Sequence, residues 1–281
     1  MRVVKFIKAE IFLIISALAM IISSFFVPPT IKYFGYINFK VLVLLFCLMG
    51  IVAAVRNNNF FYELAKKLTK KAGSVRILIL VILLLTFFLS MLLTNDVALI
   101  TFVPFTVIVL SMANKEKQLI FTIVLQTIAA NLGSVLTPVG NPQNLYLYSY
   151  YNITAGEFFS VTVPIVLLGF IIIILSVFLF KNEKINIDFK NENIIIDRKK
   201  LIVHFILFIL SIAAVFNFIN YWFLLFIVSA TLIISDKKSL KMVDYGLLLT
   251  FVCFFIFVGN IGNIEYIKNL VTKLIINREL Y

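Results

Sequence analysis

Long apolar runs separated by short clusters of charge make up most of this chain. The stretch ILILVILLLTFFLSMLL that follows Arg76 is apolar on every face of any helix drawn through it. Several such runs reach about 18 residues or more without a charge, enough at 1.5 Å per residue to cross a hydrocarbon core of roughly 30 Å. A membrane barrel would alternate apolar and polar positions over segments of about ten residues. The pattern predicts an all-α, polytopic membrane helical bundle. Its segments are 11 to 27, 41 to 55, a hairpin over 77 to 113, 118 to 156, 157 to 180, 201 to 217, 222 to 235 and 245 to 261.

Composition agrees: 62% of the residues are hydrophobic and 14% charged, with a mean hydropathy of +1.09. The net charge of +12 could suggest nucleic acid, but 20 of the 25 basic residues sit in five clusters at the ends of apolar runs. These lie before residue 10, from Arg56 to Arg76, at Lys115 and Lys117, from Lys181 to Lys200 and from Lys237 to Lys241. That distribution is topological, since loops on the cytoplasmic side are enriched in Lys and Arg. It predicts a cytoplasmic N-terminus, a multi-pass protein of the plasma (cytoplasmic) membrane, the lipid bilayer as partner, and no nucleic acid. The first segment ends in Phe-Phe-Val-Pro-Pro without a small-residue cleavage pattern, so it reads as a membrane helix.

Cys47 and Cys253 fall inside apolar segments, where packing is the expected role. His204, the single histidine, stands near a helix start beside Lys199 and Lys200, an interfacial or packing position. With no nucleophile and base pair and no metal cluster, an enzyme is not expected, and neither is a cofactor. The polar run KNEKINIDFKNENIIIDRKK at 181 to 200 carries ten charges of both signs and reads as a solvated cytoplasmic linker.

A shift of 206 residues sets Cys47 on Cys253, Asn57 on Asn263, Leu64 on Leu270, Lys67 on Lys273 and Leu68 on Leu274. In each copy an apolar span precedes an amphipathic stretch, and the charge clusters give the two spans opposite directions. That is the inversion expected of transporter repeats. The organisation read from this is a first repeat over 1 to 180 with scaffold helices, a re-entrant hairpin and a broken helix, the linker at 181 to 200, and a partial second repeat over 201 to 281.

Two places carry chemistry. Thr94, Asn95 and Asp96 interrupt a run otherwise free of charge. A carboxylate within lipid is expensive unless hydrated, paired or facing a cation, so it reads by default as functional. The alternative is an ordinary turn between two crossing helices, because Asn and Asp are also turn and capping residues. The second place is NLGSVLTPVGNPQNLYLY at 131 to 148. There Gly133, Pro138, Gly140 and Pro142 break a helix: the prolines remove backbone donors and the glycines admit unusual dihedrals. Freed carbonyls would suit a cation, the next helix start an anion, and Thr137, Asn141, Gln143 and Asn144 add neutral oxygens and amides. An extracellular loop is the alternative.

TNDVALITFVPF followed by NLGSVLTPVGNPQN resembles the ion transporter superfamily, in particular the ArsB/NhaD-like permeases with a citrate-transporter-like domain. Gly133, Ser134, Thr137, Gly140, Pro142 and Asn144 fill that family's broken-helix motif, with Ser134 in place of a second glycine and Asn141 where relatives have Asp or Thr. The resemblance implies an inverted-repeat secondary transporter that rocks a hairpin-bearing unit against a scaffold including segments 11 to 55. Its substrate or ion half-site would be built from Thr94, Asn95, Asp96, Asn131, Ser134, Thr137, Gly140, Asn141, Pro142 and Asn144. Sodium, if it is the coupling ion, falls to Asn95, Thr137 and Asn144; a proton is the other coupling ion, with Asp96 as the titrating or cation-facing group. Asp96 departs from the Ser-Asn-Thr tip of the sodium-coupled dicarboxylate branch. A small inorganic or organic anion, carboxylate or oxyanion, is the expected substrate, and sodium/proton antiport the alternative. The repeat puts the equivalents of Asn95 and Asn131 near positions 301 and 337, beyond Tyr281. The second half-site is therefore expected to be missing here, as in a truncated non-transporting membrane protein or one half of a split transporter, with a homodimer or a complementary half-transporter as partner.

Overall fold

The computed structural model describes residues 10 to 185 and 196 to 264. Its elements are helical throughout the described residues, apart from one isolated bridge between Ser74 and Lys184. In chain order they are α1 (Ile11–Phe26), α2 (Tyr33–Tyr36), α3 (Phe39–Asn57), α4 (Phe60–Thr69), α5 (Val75–Leu93), α6 (Asn95–Met112) and α7 (Leu119–Val135). Then follow α8 (Pro142–Tyr150), α9 (Ala155–Ser176), α10 (Arg198–Val215), α11 (Tyr221–Ser235), α12 (Lys237–Lys241) and α13 (Tyr245–Asn263). Six helical segments among the described residues are long and apolar enough to cross a membrane. The predicted apolar segments fall on α1, α3, the α5–α6 pair, α7 with α8, α9, α10, α11 and α13, of which α1, α8, α10 and α11 are not among those six. The linker at 181 to 200 is shorter than expected, because Arg198, Lys199 and Lys200 form the first turn of α10 under the cap of Asp197; its middle lies outside the described residues.

The chain divides into two compact units. One comprises the described residues up to Leu42 and from Asp244, and in it α1 packs along α13. Buried Asn260 on α13 ties the two elements by donating to Ser23 Oγ and Tyr33 Oη, both at 3.0 Å. The cut differs from the repeat boundaries, which are a sequence relation that compactness does not test.

The second unit, Val43 to Val243, centres on α5 and α7. Val75, Ile79, Leu83 and Phe87, spaced four apart, form one face of α5. They bury against Leu125 and Ala129 of α7 and Val166, Ile173 and Val177 of and just after α9. Spacing of four puts side chains on one stripe of a helix, and this stripe forms the apolar part of the contact. The opposite side of α9 exposes Val161, Ile165, Leu168, Ile172 and Leu175, each at least half exposed. An apolar face of that length belongs in hydrocarbon.

Polar groups close the end of this unit where charges cluster. Arg76 donates through Nε to the carbonyl of Phe180 at 2.7 Å and through its guanidinium to that of Phe178 at 3.0 Å. It thereby satisfies carbonyls that the end of α9 leaves without helical partners. Lys115 forms an ion pair with Glu183, and that hydrogen bond and charge hold the Glu183 carboxyl below the usual range. Asn57, at the end of α3, donates to Asp236 at 3.2 Å and to Ser239 at 3.1 Å, anchoring α12.

Candidate functional site

One residue, Thr94, separates α5 from α6, so the run at 77 to 113 is a helical hairpin. Thr94 turns the chain at φ 76° and ψ 150°, a region that is essentially glycine's own. A β-branched residue there stores strain at the tip. Asn95 opens α6, and its Nδ2 donates to Oδ1 of Asn131 on α7 at 3.0 Å. Asn131 in turn donates to the carbonyl of Thr127 at 2.9 Å, which fixes its amide.

Four residues later α7 ends. Leu136 to Asn141 form the break, and Asn141 caps α8 by accepting from the N–H of Asn144 at 2.7 Å, with Pro142 at the first helical position. The freed carbonyls are gathered rather than scattered. Asn144 Nδ2 lies 3.1 Å from the carbonyl oxygen of Ser134, 3.0 Å from that of Val135 and 3.0 Å from that of Thr137. The Asn141 amide reaches toward Ser134 as well, and Ser134 Oγ donates to the carbonyl of Asn131 at 2.9 Å. Thr137 donates to the carbonyl of Met91, in the last turn of α5, which docks the break onto the hairpin tip.

The glycines act differently from expectation. Among the described residues no glycine has a positive φ. Their part is close approach: a Cβ on Gly133 would stand 2.1 Å from the carbonyl oxygen of Phe87, and one on Gly140 2.1 Å from that of Ser134. Gly133 lets α7 lie on α5, and Gly140 lets the break fold back onto the end of α7.

Nine of the ten residues singled out from the sequence form the turn itself, the hydrogen bonds around it or the break. Asp96 is the exception. It is exposed in the first turn of α6, where a negative charge complements the helix dipole. Among the described residues no three His, Cys, Asp or Glu side chains converge as metal ligands.

The tip and the break lie short of the start of α9. Phe87 of α5 and Phe170 of α9 stack with centroids 4.6 Å apart, which sets a common level. From there Asn95 lies eight residues on, about 12 Å, whereas the start of α9 at Ala155 lies fifteen residues back, about 22 Å. The tip therefore stops roughly 10 Å short of that end of α9. A contact between the Thr162 hydroxyl and the carbonyl of Leu136 at 3.5 Å puts the break at a similar depth. Tyr146, Tyr150 and Tyr151 cluster beyond it, an arrangement typical of a membrane boundary.

One polar knot escaped the sequence reading. Buried Gln126 on α7 donates to Thr86 Oγ1 of α5 at 2.9 Å and accepts from Thr106 Oγ1 of α6 at 3.0 Å. It joins both hairpin arms to α7 a turn and more below Asn131. A glutamine inside an otherwise apolar run was the available signal.

The profile of a family described as Citrate transporter matches residues 3 to 277. The chain belongs to the citrate transporter family. It is 35% identical over 261 residues to an uncharacterized transporter of Methanocaldococcus jannaschii, across 92% of this chain and 70% of that protein. It is 30% identical over 143 residues to the inner membrane protein YbiR of Escherichia coli, half of this chain and 38% of that one. A third relative, from Dictyostelium discoideum and bearing the name transporter arsB, is 32% identical over 178 residues, 62% of this chain and 31% of its own length. Membership, with six apolar helices, makes this an integral membrane protein that crosses the bilayer several times.

Proposed function

We propose that the protein works in secondary transport of a small anion, a carboxylate or an oxyanion, coupled to sodium or protons. The half-site formed by the hairpin tip and the broken α7–α8 segment would bind the transported or coupling ion. The observation that carries this reading is the Asn95 to Asn131 hydrogen bond at 3.0 Å, which joins the hairpin tip to the helix that breaks at 136 to 141. Irregular backbone at membrane depth is tolerated where it lines a cavity, and broken helices are where transporters hold their ions.

The chemistry fits a weakly held ion. Asn95, Asn131, Thr137 and Asn144 offer neutral oxygens and amides, and Asp96, exposed beside them, is the candidate proton carrier or cation-facing group. Membership of the citrate transporter family supports an anionic substrate, and the resemblance to a protein named arsB keeps oxyanions in the class. The equal bounds of α3 and α13, offset by 206 residues at both ends, support a repeat, and its inversion rests on the charge clusters; Leu270, Lys273 and Leu274 lie outside the described residues. In this reading the N-terminus is cytoplasmic and the protein resides in the plasma membrane.

The test is counterflow in liposomes containing purified protein. Labelled citrate or arsenite should accumulate against an unlabelled internal pool, and Asn95→Ala should abolish the accumulation. Uptake driven only by an opposing sodium or proton gradient, without anion counterflow, would favour the antiporter instead. No flux of any of these would leave a non-transporting chain or one that needs a complementary half.

A further inference from the structure

We propose that the groove between α4 and the start of α10 is a binding site for one anionic phospholipid of the cytoplasmic leaflet. This groove is separate from the hairpin and the broken helix. It encloses about 500 Å³. It is lined by the apolar Phe60, Leu64, Ile196, Leu201 and Ile202 and by the charged Glu63, Lys67 and Arg198. Phe60 meets Phe205 edge to face at 5.2 Å, which holds the two helices together beneath the opening.

The two helices supply different parts of a lipid's needs. α4 has ten residues, about 15 Å, too short to cross a bilayer, and it carries its basic groups in the last turns, so it suits the interface. α10 begins with Arg198, Lys199 and Lys200 and then, apart from buried His204 and Ser211, is apolar, exposing Ile202, Ile206 and Ile209 along one stripe. The groove lining runs out onto that stripe. An acyl chain can follow it into hydrocarbon while the phosphate stays beside Lys67 and Arg198.

Charge selects the headgroup. Around the groove, residues 59 to 71 and 196 to 202 carry seven basic side chains against two acidic ones, Glu63 and Asp197. Lys67 contacts Glu63 at 3.6 Å while 73% exposed, and Lys200 contacts Asp197 at 4.0 Å. Exposed pairs of this kind contribute little, so neither competes strongly with a phosphate. Basic groups beside the anionic cytoplasmic leaflet attract its lipids. An anionic lipid brings net negative charge to this surplus of five positive charges, whereas a zwitterionic lipid brings none.

The experiment is native mass spectrometry of the full chain, released from detergent with phosphatidylglycerol or phosphatidylcholine at equal concentration. We expect a single retained phosphatidylglycerol adduct, and at least about tenfold weaker retention in Lys67→Glu/Arg198→Glu. A control, Lys117→Glu/Lys181→Glu, reverses two basic residues outside the groove lining and should retain the lipid. Lys67→Gln/Arg198→Gln, with an unchanged thermal melt, guards against loss of folding. Equal retention of both lipids, or retention that the groove variants leave unchanged, would overturn the proposal. Displacement of the adduct by glycerol phosphate at low concentration would also overturn it, by making this a site for small soluble anions.

Discussion

The side chain of Asn95, first residue of α6, donates to the side chain of Asn131, thirteenth residue of α7, at 3.0 Å. This bond joins the hairpin tip to the helix that breaks four residues later. Neither amide is fully buried, so the pair is worth about 1 kcal/mol at most to stability. Asn95→Ala and Asn131→Ala should each lower transport by tenfold or more while shifting the thermal melt little. If the two amides act as one unit, the double variant transports no worse than the poorer single one. Multiplicative losses in a double-mutant cycle of initial uptake rates would separate their roles.

Gly133→Ala tests the packing beneath the site. Its Cβ would meet backbone, the Phe87 carbonyl oxygen at 2.1 Å, so α5 and α7 must part. Overpacking of this kind costs about 1 to 3 kcal/mol. Gly73→Ala, which meets nothing within 4 Å, is the matched control and should be close to neutral. Thermal unfolding in detergent compares them, and equal melting of the two variants would contradict the close approach.

Thr94→Gly should act in the opposite direction on stability. Relieving a threonine at φ 76°, ψ 150° returns about 1 to 3 kcal/mol, from which glycine's extra chain entropy takes up to about 1 kcal/mol. A higher melting temperature with slower transport would mark the strain as functional. A lower melting temperature would contradict the strained turn.

Outside the membrane, Asp236 governs an acid-sensitive anchor. Burial pushes its carboxyl up, but hydrogen bonds from the Ser239 and Asn57 side chains and from the Ser239 and Lys238 backbone more than offset this and hold it below the usual range. A group depressed in the native state stabilises above its unfolded pKa, about 3.9, and that contribution is lost as pH falls through the lower native value. Asp236→Asn should therefore melt below the parent protein at pH 6, and the gap should close toward pH 3. A gap independent of pH would contradict the assignment.

The membrane helices were legible because runs without charge of this length have one physical solution, and helix bounds fell within a few residues of the apolar segments. The break at 136 to 141 was legible from Pro138, Gly140 and Pro142, although the glycines serve close packing and not unusual dihedrals. Asp96 drew attention by its charge, yet it stands outside the hydrogen-bonded cluster. What stayed hidden was long-range. Gln126 bonding Thr86 and Thr106, and Arg76 closing the end of α9, depend on which faces of all-apolar helices meet. A helix apolar all round carries no periodicity to reveal that face. The strain at Thr94 was hidden as well, since a β-branched residue is an outlier at a positive φ.

The most direct test of the account is the reactivity of a single cysteine at position 95, in protein lacking Cys47 and Cys253, toward membrane-impermeant thiol reagents in oriented vesicles. Position 152, exposed in the turn between α8 and α9, supplies the reference rate. Labelling at 95 should be at least about tenfold slower than at 152 when reagent is added outside, as a recessed site requires, and should be slowed further by sodium or the transported anion. Labelling at 95 as fast as at 152 and indifferent to ions would make Thr94 to Asp96 an ordinary outer turn and contradict the ion site.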